Sequence, residues 1–134
     1  MTNKTRQNTV ILIAGDVAIF VMFALIGRET HATGDPNLLI NAQPTLLSFL
    51  VIWFLVATPM GVLRPTVYRF VPLAVIRTLA AWIVAGPIAL VARAWLLNRT
   101  AIPGPFIVVT MGLNGVLLLA WHIFIAWWLK RAGR

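Results

Sequence analysis

Three ionisable side chains stand inside otherwise apolar stretches of this chain: Asp16, Arg77 and His122. A charge held at mid-membrane costs about 2.5–3.5 kcal/mol on insertion scales, so such residues are the first candidates for function in an apolar protein. Two kinds of chemistry are open to them. A carboxylate beside an imidazole can handle protons or ions, because histidine titrates near neutral pH and carboxylates relay protons in transporters. A carboxylate beside a guanidinium makes a static ion pair that fixes helix register, since pairing removes most of the cost of burying either charge alone. Arg77 has a third course, snorkelling to a nearby interface. The static and snorkelling readings are preferred, because interior charges are few and no second carboxylate continues a relay.

His122 also has the chemistry of an axial ligand to a haem or a chlorophyll-type pigment. No pairing histidine lies within an apolar stretch, so a hydrogen-bonded packing residue is the simpler expectation, and no cofactor is expected. Nor is a metal site: Glu29, His31, Asp35 and His122 do not converge in sequence. With no cysteine, disulfides, thiolate metal sites and cysteine nucleophiles are excluded. No Ser-His-Asp spacing and no nucleotide loop occurs, and no enzymatic activity is expected.

The elements that must position these residues follow from composition. Of the 134 residues, 60% are hydrophobic and only 10% charged, and the mean hydropathy is +0.91. A soluble domain carries about 25% charged residues, enough for a polar shell. Three acids and eleven Lys/Arg cannot make that shell, so the apolar residues face lipid. The expected fold is an all-α, integral membrane four-helix bundle, one transmembrane domain over residues 1–134. About 20 apolar residues cross the hydrocarbon core. That length places spans at about 9–27, 45–63, 71–92 and 106–129, separated by Gly34-Asp35-Pro36, Arg64-Pro65 and Pro103-Gly104-Pro105. At about 1.5 Å of rise per residue, Asp16, Arg77 and His122 all fall roughly 10 Å from one boundary and share a layer.

The net charge of +8 reports topology. Lys4, Arg6, Arg64, Arg69, Lys130, Arg131 and Arg134 lie on one side of a four-span chain, against Arg28, Arg93 and Arg99 on the other. Seven against three puts both termini in the cytoplasm. The cytoplasmic cations then meet anionic lipid head groups. Tyr68, Trp127 and Trp128 belong to an inner aromatic belt and Trp95 to an outer one. Nucleic-acid binding is not expected, because the cations sit at the ends of apolar stretches and not on a basic face. The first apolar run is long, contains Asp16 and lacks a clear small-x-small cleavage site, so an uncleaved first helix is expected. Asn98-Arg99-Thr100 matches a glycosylation sequon, relevant only in a eukaryotic secretory route.

The connections carry further expectations. Between Arg28 and Pro44, Asp35 and Pro36 start either a short interfacial helix through Leu38, Leu39 and Ile40 or a plain surface turn. Thr58-Pro59 and Gly86-Pro87 are expected breaks in the second and third spans, at different depths. In the fourth, Gly112 and Gly115 permit close helix approach and Asn114 can bond across it.

Gly15-Asp16, the run Phe23-Ala24-Leu25-Ile26-Gly27-Arg28 and then His31 resemble a prokaryotic membrane family known as domain of unknown function 3054. The resemblance implies a four-span fold over most of the chain and a prokaryotic cell (inner) membrane, and supplies no activity. It marks Gly27, Arg28 and His31 as a motif at the outer mouth. There Arg28 suits lipid phosphate or its own helix-end carbonyls, and His31 suits sensing outside pH; ordinary interfacial anchoring accounts for both as well. In size, and in an acid within the first span, the chain also looks like the small multidrug-resistance transporters. Those use glutamate, and some insert both ways, whereas this chain has aspartate and a charge bias toward one orientation.

The function expected from the sequence is that of a non-enzymatic accessory or structural membrane subunit, self-associating or part of a larger complex. The alternative is a small oligomeric transporter or proton-coupled channel working through Asp16, Arg77 and His122.

Overall fold

The protein, seen in a computed structural model, is described over residues 3–29 and 36–133, the side chains at 28 and 29 excepted. The described residues form five helices and no strand: α1 (Asn3–Glu29), α2 (Leu38–Ala57), α3 (Pro65–Tyr68), α4 (Val71–Leu96) and α5 (Gly104–Arg131). All but the single-turn α3 are long and apolar enough to cross a membrane. The shortest of these, α2, has 20 residues and reaches about 30 Å, the thickness of a hydrocarbon core. α1 packs on α2 and α5, and α4 packs on the same two. Each long helix therefore lies beside its neighbours in sequence, as in an up-and-down four-helix bundle.

Outward-facing positions carry Val51, Ile76, Val91, Val108 and Val116, all more than half exposed. That surface suits acyl chains. The inward stripe of α1 runs Asn8, Leu12, Asp16, Phe20, Phe23 and Ala24, at helical spacing. Its upper part joins a cluster of rings, with Phe20 against Phe49, Trp53 and Trp82 at centroid distances of 6.1, 6.2 and 6.0 Å. Lipid tails are as apolar as leucine, so shape-matched ring packing and interhelical hydrogen bonds hold such a core together.

Two of those hydrogen bonds run from tryptophans to backbone carbonyls of another helix. Trp82 Nε1 donates to the Met111 carbonyl at 2.9 Å, and Trp121 Nε1 to the Leu12 carbonyl at 3.0 Å. The second depends on Gly15, where a Cβ would fall inside the Trp121 indole. Gly115 lies under Trp82 in the same way, whereas Gly112 faces open space and Asn114 Nδ2 donates to Thr110 O within its own helix. The close approach expected of α5 thus involves Gly115 alone, and the side-chain amide does not bond across.

The second span starts earlier than its prolines imply. Pro44 lies inside α2, where its missing N–H costs one backbone bond, and Ser48 Oγ donates to the Pro44 carbonyl at 2.6 Å. The residues from Leu38 to Ile40 are the first turn of α2, not a separate interfacial helix; Asp35 lies outside the described residues. At the other end α2 stops at Ala57, so Thr58-Pro59 falls in the following turn. α4, by contrast, runs helical through Gly86-Pro87. Tyr68 is not a belt residue: it is buried at one end of the bundle, its hydroxyl 3.0 Å from Thr9 Oγ1. Both hydroxyls also reach the Thr5 carbonyl, Thr9 Oγ1 at 3.0 Å and the Tyr68 hydroxyl at 3.4 Å, so the three groups form one network between α1 and α3. Trp95 and Trp127 do face outward, and the Arg131 guanidinium lies 4.0 Å from the Trp127 ring centroid.

Candidate functional site

Midway along the bundle three helices meet at one carboxylate. Trp53 Nε1, from α2, donates to Asp16 Oδ2 at 2.9 Å. His122 Nε2, from α5, lies 3.0 Å from Asp16 Oδ1. Asp16, Trp53 and His122 all have 0% exposure. The Trp53 and His122 rings meet edge to face at 6.3 Å, so each fixes the other's plane.

Asp16 faces inward because it occupies the position between Leu12 and Phe20 on the buried stripe of α1. The residue before it admits Trp121, which brings α5 close enough for the next residue, His122, to reach the carboxylate. Partners set the proton positions. Indole nitrogen is a donor only, so Oδ2 accepts. An ionised carboxylate then requires Nε2–H on His122. His122 Nδ1 has no hydrogen-bond partner in any tautomer. Buried polar side-chain atoms without partners also occur at Asn8 on α1, Thr78 on α4, and Thr110 and Asn114 on α5.

Of the three ionisable residues picked out by depth, the fold joins Asp16 to His122 and leaves Arg77 aside. Arg77 is exposed, and its Nη1 donates to the Met60 carbonyl at 3.2 Å in the turn that follows α2. That turn sits at a helix C-terminus, where a cation is favourable to the backbone dipole. The shared layer expected from span positions did not bring Arg77 in, because its side chain is exposed on the outside of α4. Trp53 takes the place expected for it. The available signal was an indole N–H in the middle of an apolar span, which needs an acceptor when buried.

A carboxylate–imidazole pair can pass a proton between Oδ1 and Nε2. Among the described residues no side-chain hydrogen bond continues from Nδ1, and no nucleophile adjoins the pair. Nothing here points to catalysis. No group of three His, Cys, Asp or Glu side chains suited to a metal ion occurs among the described residues. A tetrapyrrole does not fit His122 as placed: Nε2 faces Asp16, and the ring has no exposed surface through which a macrocycle could reach Nδ1.

The family model described as Protein of unknown function (DUF3054) matches residues 13–125. This chain is a member of the DUF3054 family. The matched region contains the whole Asp16–Trp53–His122 cluster and Arg77, so the cluster is part of the DUF3054 domain itself. No curated protein and no solved structure matches the chain. Of the outer-mouth motif, Gly27 lies in the last turn of α1 and lines a recess between helix ends. Arg28 lies in the same turn with its side chain outside the description, and His31 lies outside the described residues. As a DUF3054 protein with four apolar helices long enough to span, the chain is a multi-pass membrane protein.

Proposed function

We propose that this DUF3054 protein is a non-enzymatic accessory or structural subunit of a prokaryotic cell membrane, with both termini in the cytoplasm. One observation supports this most: the buried carboxylate of the bundle is fully enclosed and bound to side chains from two other helices. Such an arrangement serves as a joint. It sets the rotation and depth of α1, α2 and α5, because each hydrogen bond tolerates only a few tenths of an ångström. The orientation rests on the excess of Lys and Arg at the two ends and in the turn before α4.

The test is purification from the native membrane in mild detergent, with mass spectrometry and an absorbance spectrum of whatever accompanies the chain. A defined larger complex is the expected result. Recovery of the chain alone, or as a small colourless oligomer, counts against a subunit role.

The unpartnered Nδ1 of His122 favours a second reading, a proton-coupled transporter or channel working through the Asp16–His122 pair. Proteoliposomes that take up protons through the wild type and not through Asp16→Asn are its signature. Wild-type liposomes no leakier than empty ones sink it.

A further inference from the structure

Arg77, set apart from the buried cluster, has company on the outside of α4. Its Nη1 donates to the Met60 carbonyl at 3.2 Å, in the turn that joins α2 to α3. Arg64 reaches the same peptide from its other side. Gly61 has a φ of 76°, and a Cβ there would stand 3.2 Å from Arg64 Cδ and 3.4 Å from its Nε. The left-handed turn, which glycine adopts without strain, thus lets the Arg64 stem fold back over it. Two exposed arginines therefore converge on the Met60–Gly61 peptide. Among the described residues neither has an acidic partner, and the bond to Met60 is the one side-chain hydrogen bond they make. Of the three acids in the chain, Asp16 is enclosed, Glu29 closes α1 at the far end of the bundle, and Asp35 follows it in sequence.

We propose that this turn binds the phosphate of an anionic phospholipid, shared between Arg77 and Arg64, with an acyl chain lying along α4. Two like charges drawn to one peptide repel each other, and an anion placed between them reverses the sign of that interaction. Guanidinium is the side chain best shaped for phosphate, presenting paired N–H donors to two oxygens. It has several N–H donors, and the Met60 carbonyl takes only one of those on Arg77, leaving the rest for a ligand. That one bond also orders the Arg77 side chain before any ligand arrives, which lowers the ordering cost of binding.

Depth and access select a lipid over a free anion. The Arg77 backbone lies about 9 Å into α4, which begins at Val71. Its long stem carries the charge back to the turn where α2 has ended, at head-group level. Further into the membrane the same face of α4 continues as Val84 and Ile88, both exposed. A ligand seated on this face must therefore be charged at the turn and apolar beyond it. Lys130, at the same end of the bundle on α5, acts on head groups only as part of a diffuse field.

The experiment compares phosphatidylglycerol with phosphatidylcholine of identical acyl chains, added to delipidated protein in mild detergent. Retention is read by native mass spectrometry and the thermal midpoint by tryptophan fluorescence. Phosphatidylglycerol is expected to be retained and to raise the midpoint, with phosphatidylcholine doing neither. Arg77→Gln and Arg64→Gln are each expected to weaken phosphatidylglycerol binding roughly tenfold, the worth of one charge-assisted contact. Lys130→Gln removes the same charge from the same end and is expected to leave retention at the wild-type level. Arg64→Gln changes an exposed side chain and should keep the lipid-free midpoint, so its retention decides the matter where Arg77→Gln fails to fold. Equal retention of both lipids, no retention, retention unchanged in Arg64→Gln, or a loss in Lys130→Gln as large as in the arginine variants overturns the proposal. An equal midpoint shift with inorganic phosphate alone also overturns it, assigning the arginines to a free anion.

Discussion

Replacing Asp16 by alanine removes the acceptor of two buried groups at once, Trp53 Nε1–H at 2.9 Å and His122 Nε2 at 3.0 Å. Neither group has exposed surface, so water cannot replace the carboxylate. Interhelical hydrogen bonds in membrane proteins average about 0.6 kcal/mol and reach about 1.7 kcal/mol, so two of them put the loss at about 1–3 kcal/mol. Asp16→Asn should behave differently. Its carbonyl can still accept from Trp53, and its amide can donate to His122 Nε2 once the imidazole proton moves to Nδ1. Both contacts survive, charge assistance is lost and the buried Nδ1 carries an unpaired N–H in place of an unpaired lone pair, so the expected cost is about 1 kcal/mol, below that of alanine. Reversible unfolding in mixed micelles titrated with sodium dodecyl sulfate, followed by tryptophan fluorescence, measures both values. A double-mutant cycle with His122→Phe isolates the pair, and a coupling of about 0.6–1.7 kcal/mol is expected. The reasoning fails if alanine lies within about 0.5 kcal/mol of wild type, the range of ordinary surface changes. It fails equally if asparagine costs as much as alanine, since the charge and not the hydrogen-bonded joint would then be what holds the helices.

Two further outcomes follow from the fold. Gly15→Ala drives a Cβ into the Trp121 indole and should cost about 1–3 kcal/mol in the same unfolding assay, as overpacking does; adding Trp121→Leu should recover part of it, and additive losses would argue against that contact. Because the chain has no cysteine, Thr100→Cys and Ala132→Cys can each be labelled without background. In intact spheroplasts a membrane-impermeant maleimide should modify Thr100→Cys and spare Ala132→Cys until the cells are permeabilised; the reverse pattern rules out cytoplasmic termini.

The helical class and the number of spans were legible in the chain because lipid imposes them residue by residue. A segment too poor in charge to face water must cross or lie on the membrane, and it must be helical to satisfy its own backbone. Asp16 was legible as a candidate, because a charge inside an apolar span calls for enclosure by protein; its place on the inward stripe, with Leu12 and Phe20 one turn to either side, came only from the fold, since α1 is apolar on its outward faces as well. Helix ends were less so. Proline at 44 reads as a boundary, yet a helix bears the loss of one hydrogen bond near its start, and α2 takes in its first turn from what the sequence reads as a loop. Pro59 reads as an interior break, and the helix has already ended before it.

By itself, then, the sequence determined an all-α membrane bundle and its four apolar helices, which depend on helix rise per residue and local apolarity. Which polar residues touch was decided only by tertiary structure. Contact requires the rotation of each helix about its axis, and that rotation is set by distant partners: Trp121 against Gly15, Trp82 on the Met111 carbonyl, the rings around Phe20. These place Trp53 on the carboxylate beside His122, and turn Arg77 away to the Met60 carbonyl. The meeting of Arg77 with Arg64 at the Met60–Gly61 peptide has the same origin, since it exists only where α4 passes the turn that ends α2.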